Sequence, residues 1–87
     1  MDYLAKILEF FNENFMVEFN GKYTYDDSLL DKGIIDSTGV LEIVTFLENT
    51  FGIQVEDEEI IPSNFDSINN INSYLKKKLL LKLQDAR

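Results

Sequence analysis

Ser37 is the residue of this 87-residue chain whose setting suggests chemistry. It stands in Gly33-Ile34-Ile35-Asp36-Ser37-Thr38-Gly39-Val40-Leu41-Glu42, where a loop meets the first turn of an apolar stretch. A serine hydroxyl can act as a nucleophile or accept a transferred group once a base takes its proton. The chain has no histidine, so a Ser–His–Asp arrangement is excluded and no base for Ser37 is evident. Chemistry at Ser37 therefore requires activation by another protein. The chain also has no cysteine, which removes a disulfide framework, a thiolate zinc site and a thiol nucleophile. Ser28, Ser63, Ser67 and Ser73 lack the setting of Ser37.

Several features must position this serine. Ile34 and Ile35 are expected to anchor the incoming loop, and Asp36 or Ser37 sits where a helix needs an N-cap oxygen for its orphan N–H groups. Val40, Leu41, Val44, Leu47 and Phe51 recur at helical spacing as one buried face. The spacing predicts a helix over about residues 37–50, stopped by Gly52 as a left-handed residue. Taken alone, Asp-Ser before an apolar run is an ordinary helix cap.

The wider stretch resembles the acyl carrier and peptidyl carrier proteins, whose signature is a Gly, two spacers, Asp-Ser, and an apolar helix with a Glu five residues past the serine. Here these are Gly33, Asp36, Ser37 and Glu42. The likeness continues through Phe46-Leu47-Glu48-Asn49-Thr50-Phe51-Gly52-Ile53, Glu56-Asp57-Glu58-Glu59 and Phe65-Asp66-Ser67-Ile68, covering about residues 4–81. The resemblance implies that a phosphopantetheinyl transferase joins 4′-phosphopantetheine from coenzyme A to Ser37, flanked by Asp36. The prosthetic thiol would then hold acyl groups as thioesters, supplying the thiol that a cysteine-free chain lacks. It also implies a partner-reading face made by Asp36, Thr38, Leu41, Glu42 and Thr45, with Glu48 nearby.

Thr38 and Thr45 stand where fatty-acid carriers usually place apolar residues, and Gly39 where many have an acid. Phe46 replaces a small residue of that family, and together with Ile60 and Phe65 it is expected to fill the interior that a long acyl chain would need. Gly33-Ile34-Ile35-Asp36-Ser37 and Asn64-Phe65-Asp66-Ser67-Ile68-Asn69-Asn70-Ile71 are more similar to D-alanyl and other aminoacyl or peptidyl carriers, which work with an adenylate-forming ligase. A fatty-acid or specialised lipid carrier is the alternative.

Composition sets the outer bounds. At this length and 45% hydrophobic content the chain is read as one domain, residues 1–87, with a single core. A net charge of −8 argues against nucleic-acid binding and for partners with basic surfaces. The charge is uneven: residues 26–66 hold eleven acids against the single base Lys32, whereas the last 21 residues carry Lys76, Lys77, Lys78, Lys82 and Arg87 against Asp85. That basic end is expected to lie apart from the partner face, and Glu56–Glu59 taken alone reads equally as a solvated run. With no targeting segment and no membrane-length run, a cytoplasmic monomer is expected.

Leu4, Ile7, Leu8, Phe11 and Phe15 predict a first helix over about Asp2–Val17. Asn20-Gly21 signals a turn, and Val17, Phe19, Tyr23 and Tyr25 alternate as hairpin strands would. A long loop is preferred, because an isolated hairpin is marginal in water. Leu29 and Leu30 are expected to pin this loop, and Gly33 to take a positive φ. A short third helix is expected near Asp57–Ile61, or as one turn at Ser63–Phe65. Asp66 is expected to cap the last helix, whose stripe is Ile68, Ile71, Tyr74 or Leu75, and Leu79. The tail Leu79–Leu83 is apolar on more than one side and reads as partly packed, with a weak dimer contact as the alternative. The fold class is therefore all-α: a small four-helix bundle of three long helices and a short third, with a long loop between helices 1 and 2.

Two other classes compete. A calcium-binding loop fails in register, because with Gly33 at the sixth position the ligand positions fall on Ser28, Leu30 and Lys32 and the twelfth on Gly39. A helical interaction module without a prosthetic group would leave Ser37 as a mere cap.

Overall fold

The computed structural model describes residues 3–19 and 21–85; Asp2, Asn20 and Arg87 lie outside them. The elements are α1 (Tyr3–Phe15), α2 (Ser37–Phe51), a 3-10 turn (Asp57–Glu59), α3 (Pro62–Phe65) and α4 (Ile68–Asp85), with no strand among the described residues. This is the expected small helical bundle. Both alternatives for the short third element are present, as the 3-10 turn and the one-turn α3 that Pro62 opens.

The core joins Ile7 and Phe11 of α1, Ile43, Val44 and Leu47 of α2, Phe65 of α3, and Ile68, Ile71, Tyr74 and Leu75 of α4. On α4 both Tyr74 and Leu75 are buried. On α2 the stripe is centred on Ile43 and Leu47. Leu41, about 200° around the helix from Ile43 at 100° per residue, points outward and is 57% exposed. The expectation that Leu41 belongs to the buried face is therefore corrected.

α1 ends at Phe15, two residues earlier than expected, because Met16 turns to φ 55°. Val17 is nevertheless buried. The alternation beyond it serves packing rather than pairing: Phe19 meets Phe11 at 5.8 Å and Tyr25 at 6.1 Å between ring centroids, laying the loop against α1. Of the two expected loop pins only Leu29 is buried, while Leu30 is 40% exposed. Phe46 does not reach the middle of the bundle. It stacks on Phe10 at 4.2 Å and meets Phe51 edge-on at 5.9 Å, filling the α1–α2 seam.

The acidic run is more than a solvated face. Glu59 Oε1 accepts hydrogen bonds from the Glu56 N–H (3.0 Å), the Tyr74 hydroxyl (3.1 Å) and Lys78 Nζ (3.0 Å), tying the 3-10 turn to α4. The Glu56 N–H, with Lys78 and Tyr74, holds the Glu59 carboxyl below its ordinary range, and burial beside that charge pushes the Tyr74 phenol up. A carboxyl lowered in the folded state stabilises it above the unfolded value of about 4.3, and that contribution is lost as pH falls through the lower folded value. Melting temperature is thus expected to decline on acidification below about pH 4.3, with a shallower decline in Glu59→Gln. Identical acid profiles for the two proteins would remove Glu59 from the account.

The C-terminal half of α4 carries Lys78 and Lys82 to the far end of α2, where Lys82 Nζ donates to the Gly52 carbonyl at 2.8 Å. Gly52 has φ 68° and its N–H donates to Glu48, as expected of a left-handed stop. The 15 residues of α2 put this end about 20 Å from Ser37 at 1.5 Å per residue. Leu80, Leu81 and Leu83 are exposed beyond the core.

Candidate functional site

The loop before Ser37 is built on one buried residue. Leu29 is fully buried, and its carbonyl accepts the N–H groups of Ile34 (2.9 Å) and Ile35 (3.3 Å). Gly33, at φ 71°, makes the reversal that folds the chain back onto it. Ile35 is buried and Ile34 packs against the core, so both anchor the loop as their sequence suggests.

The cap then settles which of two residues keeps a free side chain. Asp36 is extended, with φ −112°, and its Oδ1 accepts the Gly39 N–H at 2.9 Å. Asp36 is therefore the N-cap, and Ser37 opens α2 exposed, its hydroxyl without a hydrogen-bond partner among the described residues. The chain holds two other Asp-Ser pairs, Asp27-Ser28 in the loop and Asp66-Ser67 before α4, and at Asp66-Ser67 the roles are reversed. Ser67 is 5% exposed and its Oγ accepts the Asn70 N–H at 3.0 Å, so Ser67 caps α4. The expectation that Asp66 caps α4 is corrected: its carboxylate turns the other way, taking Ser28 Oγ at 2.6 Å and the Leu30 N–H at 3.0 Å.

Thr38, Leu41, Glu42 and Thr45 follow at intervals of three and four on one exposed face of α2, below Asp36. The Thr45 hydroxyl donates to the Leu41 carbonyl at 3.0 Å. Glu48 continues the line but is half-buried, and its Oε2 accepts the Val55 N–H at 3.0 Å, fastening the chain after α2. Beside Ser37 an apolar groove of about 380 Å³ runs between α2 and α3, walled by Val40, Leu41, Ile60, Ile61, Pro62 and Phe65. Phe65 is buried in the core and Ile60 is partly buried against it, so both fill space beneath a groove that stays open at the surface. Among the described residues no group of His, Cys, Asp or Glu could hold a metal ion, and no helix is long and apolar enough to cross a membrane.

Two residues of the site carry a signal that sequence reading assigned elsewhere. Gly39 is buried, and a Cβ there would lie 2.9 Å from the Ile35 Cβ and 3.5 Å from Phe15. Its small size is a packing requirement, which explains why this chain has no acid two positions after the serine. Asp66 was legible only as a helix-initiating residue, because its partners Ser28 and Leu30 lie 38 and 36 residues away.

No family model matches the chain. It is 34% identical over 71 residues to the D-alanyl carrier protein of Streptococcus gordonii, covering 82% of this chain and 87% of that one. The D-alanyl carrier protein of Streptococcus sanguinis matches with the same identity and coverage. That of Streptococcus thermophilus is 32% identical over 71 residues. A match of this extent to whole carrier proteins, on a helical bundle that presents one free serine at the head of α2, places the chain in the carrier-protein family to which the D-alanyl carrier proteins belong.

Proposed function

We propose that Ser37 is the attachment point of 4′-phosphopantetheine and that the chain carries an aminoacyl group, D-alanine foremost, between partner enzymes. The observation that carries this reading is the free Ser37 hydroxyl, set against the Ser67 hydroxyl engaged in its own cap. The surroundings fit the group. Ser37 is exposed, and among the described residues the N–H groups of Ser37 and Thr38 have no acceptor, leaving them available to a phosphate oxygen at the positive end of α2. When bound, the group supplies a thiol on a flexible arm that holds the acyl unit as a thioester. The chain's own part is to fix the serine through the Asp36 cap and to leave its proton to the base of a phosphopantetheinyl transferase.

D-alanine as cargo is supported by the name that the relatives carry, and an adenylate-forming ligase is the partner that would load it. The fatty-acid alternative finds no support among those relatives. Intact mass after incubation with coenzyme A, magnesium and a broad-specificity transferase tests the reading. A gain of one phosphopantetheinyl group is expected, and an unchanged mass would return Ser37 to a plain cap on an interaction module.

Partner enzymes are expected to meet Asp36, Thr38, Leu41, Glu42 and Thr45 with Arg and Lys, so loading should slow as salt rises. Glu42→Lys is expected to slow loading severalfold, and Glu9→Lys or Glu13→Lys on α1 far less. Equal effects at the three sites would mean that only net charge matters. Reversal at Glu48 is a poorer probe of the face, since it also breaks the bond to Val55.

A further inference from the structure

We propose that Asp66 is a positioning residue for Ser37, holding the serine's loop at a set distance from α3; this rests on the reading of Ser37 as the modified residue. Asp66 stands at the C-terminal end of α3, where its N–H donates to the Pro62 carbonyl. Each of its acceptors grips the far loop. Oδ2 takes the Ser28 hydroxyl at 2.6 Å, Oδ1 takes the Leu30 N–H at 3.0 Å, and the main-chain carbonyl takes the Leu29 N–H at 2.8 Å. Ser28 Oγ in turn accepts the Asp31 N–H at 3.1 Å.

From there the chain of bonds leads to the serine. The Leu29 carbonyl binds the N–H groups of Ile34 and Ile35, Ile35 seats against Gly39, and the Gly39 N–H closes the cap on Asp36. Asp66 and Ser37 also line the same groove, together with Ile61 and Pro62 at the head of α3 and Val40 and Leu41 of α2. One carboxylate therefore sets both the width of that groove and the seat of the loop ending at Ser37. The charged acceptor suits this role, because bonds to an ionised oxygen are stronger than neutral ones and it satisfies two donors at once.

The test compares phosphopantetheine transfer to the wild-type chain and to Asp66→Ala, Asp66→Asn, Ser28→Ala and the control Ile71→Val, with amide exchange followed in each. Ile71 is fully buried on α4, its apolar side chain makes none of the clamp's hydrogen bonds, and its truncation lowers stability while leaving those bonds in place. Asp66→Ala is expected to reduce kcat/KM about tenfold, mainly through KM, and to speed exchange at Ile34 and Ile35. Asp66→Asn keeps an oxygen for Leu30 and can donate to Ser28 Oγ, so it should recover most of the rate. Ser28→Ala should show a smaller loss in the same direction, and Ile71→Val should leave KM unchanged. An Asp66→Ala chain labelled at the wild-type rate, or an equal loss in Ile71→Val, would overturn the proposal. A wild-type chain that takes no label at all would instead refute the reading of Ser37, and faster exchange at Ile34 and Ile35 would then show the clamp as structural only.

Discussion

Ser37→Ala is expected to abolish phosphopantetheine attachment completely while leaving the fold intact. Ser67 is buried in its cap and Ser28 donates to Asp66, while Ser63 and Ser73 are exposed but do not follow a capping aspartate at the head of a long helix. The cap of α2 survives the substitution, because Asp36 and not Ser37 binds the Gly39 N–H. Stability should therefore change by no more than about 0.5 kcal/mol, alanine being the better helix former. Two companions separate the roles. Asp36→Ala removes the cap and should cost about 1 kcal/mol, and Ser67→Ala should cost a similar amount yet label normally. Intact mass and thermal melting read all three, and a labelled Ser37→Ala chain would sink the assignment.

The second large effect is expected at Gly39. Its backbone is ordinary helix, so exchange to alanine would by propensity alone gain about 1 kcal/mol. Packing opposes this, since the added Cβ would fall 2.9 Å from the Ile35 Cβ, an atom at the root of a buried side chain that cannot swing away. Overpacking of a core typically costs about 1–3 kcal/mol, so Gly39→Ala should come out neutral to destabilising. Gly39→Asp adds a carboxylate to a buried position and should lower the melting temperature clearly, by about 4–8 °C for each kcal/mol lost in a domain of this size. Displacing Ile35 also disturbs the Asp36 cap, so Gly39→Asp should label more slowly than its lost stability alone predicts. A stable, normally labelled Gly39→Asp chain would show that the loop can yield.

Helix existence was legible because periodicity is local: Ile7 and Phe11 on α1, Val44 and Leu47 on α2, and Ile68, Ile71 and Leu75 on α4 are all buried as their spacing indicates. Gly33 and Gly52 were legible for a similar reason, since a reversal or a stop needs the left-handed conformation that glycine adopts without penalty. Leu30 turns outward because two adjacent apolar residues of a loop do not show which of them faces the core, and Leu41 does so because spacing marks a stripe without stating its width. Only the neighbouring helices decide which edge of it meets water.

The sequence by itself determined that any chemistry must use Ser37 with outside help, since the chain has neither histidine nor cysteine, and that a helix begins at that serine. It could not determine which residue of an Asp-Ser pair caps the helix. Both oxygens can accept an N–H, and the choice depends on where the chain leaves extended geometry. Tertiary structure settles it differently at the two sites. At Asp36 the loop held by Leu29 and Ile35 delivers the aspartate to Gly39, and Ser37 is left free. At Asp66 the carboxylate is claimed by Ser28 and Leu30 from the distant loop, so Ser67 must cap α4 itself.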